Sequence, residues 1–501
     1  MSENPAGASH DPAGASHDPA VRGGTGRVLA IGLDAAEPTL LERMIADGEL
    51  PTLAKLVAGG SWSRVTSPAA FGSGTVWPTF FTGTDAGVHG QYTHWGWDPA
   101  TMSLQYYDAS RYTPFWKQLD ADGVAVGVID VPFAPHIGVQ KGFEVLEWGA
   151  HAWVDGRAHL SPAAVHDTVT KEFGQHPFSH PLSEVPTDPV ALSKQSVECV
   201  DGAHLRGDVA LRLIADTRPD LAIVIFPEVH HGGHFLWQTV APELRLYDDI
   251  RSDPQPVNDL AELHRELDRQ VARLVEAAEP GTTVFVFGLH GMEPGRGVPS
   301  VLEPMLEGMG LAFIAENLDR RRSLVAELKR RVPEPLRNLY RSTVPLPMRS
   351  KWGKAQRMPA YDWSRTQAFC IPTDQYGWIR VNLAGREAQG IVAPADYDGL
   401  LDRIEAEIRS LTTADGGPVA LDVIRPPRSA GQDPLPDLVV HWTQGSFEGP
   451  VKVNNVATMP TRPEETGQHS TNGFLIAGAG GAPATVEAKD IHQLLTAALR
   501  T

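Results

Sequence analysis

Three stretches of the chain are apolar at nearly every position and rich in branched or aromatic residues: 27–33, 221–226 and 283–288. Runs of this length without polar alternation predict strands buried on both faces, as in a parallel sheet. A fourth, Val124 to Val131, follows a helical stretch from Pro114 to Asp122 and a break at Gly123. Between these strands the apolar spacing changes to that of helices. Leu40 to Ala58 reads as one helix ending at Gly59–Gly60. A second lies near 203–217, and a third near 258–278 places Leu260, Leu263, Leu267, Val271 and Val275 on one face. Strands alternating with helices predict an α/β fold with a mostly parallel central sheet.

The pattern changes elsewhere. Residues 1–26 contain a duplicated Pro-Ala-Gly-Ala-Ser-His-Asp, starting at Pro5 and again at Pro12, and read as a disordered tail. Residues 150–200 are weakly patterned and suggest no chemistry. From about 299, helical sequence carries the basic runs 320–322 and 329–331, read as a solvated face. Short strands and a helix near 396–411 follow. Pro436 to Trp442 reads as a return to the main sheet, and a strand to Ala477 and a helix from Ala488 close the chain. The expected organisation is a core of 27–298 and 436–501 with an inserted α+β cap region over 299–435.

Composition narrows the class. At 501 residues, 42% hydrophobic and 21% charged, the chain is an ordinary globular protein. A net charge of −18 disfavours a nucleic-acid surface and anionic membranes. No run is long and apolar enough to span a bilayer, and no secretory signal pattern is present. The two cysteines, Cys199 and Cys370, suggest a reducing compartment, so a cytoplasmic location is expected.

The candidate chemistry gathers where strands end, the position at which open α/β sheets bind ligands. Asp34 follows the first run, although alone it reads as a helix cap. Glu228, His230, His231 and His234 follow Pro227, and His290 follows the 283–288 run. His230 and His234 are four apart, so on one helical turn they share a face and can share a cation. Ser73 and Thr75 sit in a loop that opens into a short helix, where a hydroxyl can meet a phosphate. If Thr75 is the cap, Pro78 falls harmlessly in the first turn, so local physics leans to Thr75.

Taken together, Asp34, Thr82–Gly83, His89–Gly90, the His230/His234 pair, His290–Gly291–Met292 and His469 resemble the alkaline phosphatase superfamily, in particular its type I phosphodiesterase/nucleotide pyrophosphatase branch. The resemblance covers roughly 27–300 and 437–501. It implies a three-layer sandwich and a metal-dependent hydrolase of small phosphate esters with a Ser/Thr nucleophile and a phosphoryl-enzyme intermediate. Counting back nine from Thr82, as in that family, gives Ser73, so register and helix physics leave Ser73 and Thr75 both open. Two departures stand out. His230 occupies the place of a family Asp, and Leu289 that of the Asp in Asp-His-Gly-Met. The family's two-ion centre then becomes one set of His230, His234 and His469 and a depleted set of Asp34, His290 and the hydroxyl, with Glu228 a possible substitute. The expected cofactor is a divalent metal, one or two ions, zinc first and manganese second. The alternative implied by Leu289 is a degenerate member that binds a metal or a phosphorylated ligand without turnover.

Overall fold

Within the first strand, Val28–Leu33, alternate residues enter opposite cores. Leu29, Ile31 and Leu33 join one apolar cluster, and Val28 and Ala30 join another. The neighbouring strand Leu221–Phe226 divides the same way, with Ala222, Val224 and Phe226 on one side and Leu221, Ile223 and Ile225 on the other. Both faces are therefore covered, which explains why these strands are apolar throughout.

The computed structural model describes residues 26–93, 95–149, 158–177, 189–241, 257–295, 301–315, 358–373, 375–413, 416–427, 435–443, 451–453, 456–458, 466–478 and 481–501. The duplicated segment and the basic runs lie outside these residues.

Nine strands form the main sheet in the order Thr485–Glu487, Ser61–Thr66, Asn472–Ala477, Thr283–Gly288, Val28–Leu33, Leu221–Phe226, Val126–Ile129, Gly142–Leu146 and His159–Ser161. The five from Thr283–Gly288 to Gly142–Leu146 are mutually parallel. Asn472–Ala477 runs antiparallel between Thr283–Gly288 and Ser61–Thr66. Helices Pro38–Ala46, Pro189–Thr217 and Leu260–Ala277 pack on one face, and Val76–Thr82 and Ile491–Ala498 pack on the other. This is the expected α/β sandwich with a mostly parallel central sheet.

Two local expectations change. The stretch 40–58 is two helices, Pro38–Ala46 and Pro51–Gly59. Gly48 takes a φ of 78° between them, and Pro51 begins the second, so the chain turns where apolar spacing alone suggested continuity. Leu438–Trp442 does not return to the main sheet. It pairs antiparallel with Gly377–Val381 and Ala420–Ile424 in a separate four-stranded sheet that also holds Ala368–Ile371. Its apolar residues predict burial correctly, but burial does not say in which sheet. This smaller sheet has its own core, including Trp378, Ile379, Val439, Trp442 and Ile404.

Candidate metal centre and active site

Asp34 leaves the first strand at its carboxyl end, and its N–H donates to Phe226 O of the adjacent strand at 3.1 Å. From Phe226 the chain turns at Pro227 into the helix Glu228–Leu236, which carries His230 and His234 on one face. His290 lies between the central strand Thr283–Gly288 and a short strand, Gly291–Pro294. That short strand pairs antiparallel with Gly467–Ser470, so His469 stands opposite Met292. Four segments remote in sequence thus deliver Asp34, His230, His234, His290 and His469 to one place.

The imidazoles meet through their Nε2 atoms. His230 Nε2 is 3.0 Å from His234 Nε2 and 2.8 Å from His469 Nε2. The opposite nitrogens fix the tautomers. His230 Nδ1 lies 2.9 Å from Asp34 Oδ2, and His234 Nδ1 lies 3.0 Å from the Gly467 carbonyl. The Gly467 carbonyl can only accept, and Asp34 accepts when ionised, so with Asp34 as the carboxylate both Nδ1 atoms carry the proton and both Nε2 atoms present lone pairs to each other. Two lone pairs at this distance repel unless a cation lies between them. A tetrahedral zinc with Zn–N near 2.0–2.1 Å sets its nitrogens about 3.3 Å apart, close to the spacing here. Metal-binding histidines also donate their other N–H to a carboxylate or carbonyl, as these do. The residues present therefore fit a divalent cation.

A second possible ligand group, Asp34, His230 and His290, overlaps the first through His230. Its Asp34 is already engaged on both oxygens, since Oδ1 accepts from Trp77 Nε1 at 2.9 Å. Burial pushes the Asp34 carboxyl up to about 7, although the Trp77 hydrogen bond and His234 oppose the rise. His290 Nδ1 is 3.8 Å from Asp34 Oδ1, beyond hydrogen-bonding range. Both His290 nitrogens are buried without a hydrogen-bond partner. Burial, with His234 nearby, lowers the pKa of His290 to about 3, so the ring stays neutral and able to coordinate.

Glu228 joins neither group, contrary to its expected role as a substitute ligand. It is two residues from His230 on a helix, a spacing that points the side chains apart. Its Oε1 accepts from Arg206 Nε at 2.8 Å and lies 2.9 Å from His176 Nε2. Burial alone would raise its pKa, but Arg206 and His176 outweigh burial and hold the carboxyl below its ordinary value. Leu289, at the position of the missing family carboxylate, is fully buried among apolar residues.

The hydroxyl loop is a single turn, Ser73–Thr75, leading directly into the helix Val76–Thr82. Thr75 takes the cap position and Pro78 falls in the first turn, as helix physics requires. However, the Thr75 side chain makes no capping bond. It is fully buried, and its Oγ1 donates to Gly72 O at 2.7 Å. Ser73 is half-buried, and its hydroxyl has no protein partner among the described residues.

Sequence reading missed several supporting groups. Trp77 steers Asp34 from a mostly apolar helix, Val76–Thr82. Glu37 receives hydrogen bonds from Ser470 Oγ at 2.7 Å and Asn472 Nδ2 at 3.1 Å, tying the loop after Asp34 to the strand of His469. Gln375 brackets the His469 backbone from the smaller sheet. No local pattern announces contacts of this range. Among the described residues, no helix is long and apolar enough to cross a membrane.

Comparison with known proteins agrees with this architecture. The family model for type I phosphodiesterase / nucleotide pyrophosphatase matches residues 28–347. No curated relative matches the chain. The crystal structure of phosphonoacetate hydrolase from Sinorhizobium meliloti 1021 with phosphonoacetate aligns over 95% of this chain and 96% of that one, with a TM-score of 0.51 and 14% identity. The same enzyme with phosphonoformate aligns over the same shares, with a TM-score of 0.50 and 14% identity. Such identities speak for the fold alone. Murine ectonucleotide pyrophosphatase / phosphodiesterase 5 with AMP covers 95% of each chain at 13% identity, but its TM-score of 0.47 carries no argument. The match over 28–347 settles the lineage: the chain belongs to the type I phosphodiesterase/nucleotide pyrophosphatase family of the alkaline phosphatase superfamily and is a hydrolase of phosphoric ester bonds.

Proposed function

We propose that this hydrolase cleaves small phosphate mono- or diesters using a divalent cation held by His230, His234 and His469 and Ser73 as the nucleophile. The observation that carries the reading is the convergence of three Nε2 atoms, two of them with their lone pairs fixed by Asp34 and Gly467. Three imidazoles with an open position favour zinc, with manganese second. A bound cation supplies Lewis-acid polarisation of the phosphoryl group and offsets the negative charge of protein and substrate.

Ser73 Oγ attacks phosphorus as the bond to the leaving ester oxygen breaks, giving a phosphoryl-enzyme that water hydrolyses. Ser73 is preferred to Thr75 because the Thr75 hydroxyl is buried and already donated to Gly72. Asp34 orients His230 and keeps its Nδ1 protonated. With both Asp34 oxygens engaged, the three-histidine group is the principal site, and His290 is left to a second ion. The smaller sheet belongs to a cap region that reaches beyond the expected limit of 435 to include Leu438–Trp442.

The test is turnover of aryl phosphate mono- and diesters after chelation and return of Zn²⁺ or Mn²⁺, alongside Ser73→Ala. Activity that needs the added ion and the serine supports the reading. Turnover unaffected by chelation, or by loss of Ser73, sinks it.

A further inference from the structure

The smaller sheet reaches the proposed centre at two separate points. The first is Gln375, just ahead of the strand Gly377–Val381. Its Oε1 accepts from His469 N at 3.0 Å, and its Nε2 donates to His469 O at 3.2 Å. One carboxamide thus satisfies both main-chain groups of a single residue, as a neighbouring strand would on the edge of Gly467–Ser470 away from Gly291–Pro294. That residue is the one whose ring supplies the third Nε2. Gln375 therefore fixes the backbone from which the His469 side chain projects.

The second contact lies on the hydroxyl loop. His441 Nε2 is 2.9 Å from the Ala70 carbonyl, and the His441 ring stacks on Tyr376 at 4.2 Å between centroids, with 7° between planes. Nearby, Gly72 has a φ of 143°, and a Cβ there would come within 2.8 Å of the Trp378 ring. The segment just before Ser73 is thus pressed against the smaller sheet, and His441 pins it by hydrogen bond.

We propose that Gln375 and His441 are positioning residues through which the smaller sheet separately sets the third imidazole and the Ser73 loop. This inference rests on the metal and nucleophile assignments proposed above. Neither residue touches the reacting atoms. Gln375 acts through His469, so its loss appears in cation affinity. His441 acts through Ala70, so its loss appears in turnover. Outer partners of metal ligands typically govern affinity by about 10–100-fold, and a displaced nucleophile costs about 100-fold in rate.

Zinc affinity is measured by chelator competition, and kcat and KM are measured with an aryl phosphate ester. In Gln375→Ala and in Gln375→Met, which keeps side-chain length but loses both hydrogen bonds, zinc affinity falls by about 10-fold or more, while the metal-free protein still folds and melts cooperatively. In His441→Phe, which keeps the ring on Tyr376, zinc affinity is retained, kcat falls and KM changes little. Wild-type protein that takes up no ion overturns the metal assignment and this inference with it. Wild-type protein that binds zinc while both Gln375 variants bind equally well overturns this inference alone, as does a His441→Phe variant that loses zinc affinity in step with them.

Discussion

Asp34 Oδ2 and His230 Nδ1 lie 2.9 Å apart, and this contact turns the other nitrogen of His230 toward His234 and His469. The carboxylate stands behind the imidazole rather than beside it, with its second oxygen held by the Trp77 indole. In Asp34→Asn the Trp77 N–H keeps the amide oxygen, so the amide NH₂ faces His230 and drives its proton onto Nε2. Zinc affinity, read by chelator competition, falls by about 10–100-fold. An Asn variant that binds zinc like the wild type would show that Asp34 does not set the tautomer.

Ser73 and Thr75 separate by what their removal does. Ser73→Ala eliminates turnover of an aryl phosphate ester while cation uptake persists. Thr75→Val removes one of two hydrogen bonds to the Gly72 carbonyl, which still accepts from the Thr75 N–H, and costs about 0.5–1.5 kcal/mol in urea unfolding, yet turnover survives. The reverse pattern would transfer the nucleophile to Thr75.

Arg206 has no solvent exposure and lies between Glu228 and Asp130, bonding to both. Asp130 takes a φ of 48° and also accepts from the backbone N–H groups of Trp148 and Gly149, each at 2.9 Å. Arg206→Met leaves two buried carboxylates without their cation. Breaking such a network typically costs about 3–5 kcal/mol, measurable by denaturant unfolding. A loss below about 1 kcal/mol, the scale of an exposed pair, would mean that the carboxylates are neutral in the folded protein.

Acid should loosen the fold through histidines away from the centre. Burial lowers the pKa of His264 from 6.5 to about 4, despite its hydrogen bond to the Leu260 carbonyl. Burial likewise takes His89 to about 3, against the pull of Asp85. Both rings remain neutral when folded and take a proton on unfolding below pH 6.5. Stability is therefore complete above that pH and declines as pH falls toward the folded values, by about 1.4 kcal/mol per unit for each ring. In His264→Leu the slope of unfolding free energy against pH between 6.5 and 4 is shallower by that amount. Equal slopes in the two proteins would refute this account.

The central strands were legible because burial on both faces demands continuous apolar sequence, and the strand ends located Asp34, His230 and His290. The His230/His234 spacing also translated directly into shared direction on one helix. Other features were opaque for physical reasons. The apolar run of Leu438–Trp442 suits any buried strand, so it did not reveal its sheet. Glu228 looked like a ligand by proximity, but helix geometry turned it toward Arg206. Trp77 acts through one hydrogen bond and Gln375 through two, each to a partner far along the chain, and no periodicity encodes such a partner.

Asn472–Ala477 sits inside the sheet between Ser61–Thr66 and Thr283–Gly288, although the ribosome makes it after both. During synthesis those two neighbours must wait with open hydrogen-bonding edges, the state most prone to pairing with another nascent chain. This late strand also follows directly on His469, so the seam between its two neighbours and the histidine cluster are completed by the same late stretch of polypeptide. A translation product that stops short of it lacks both.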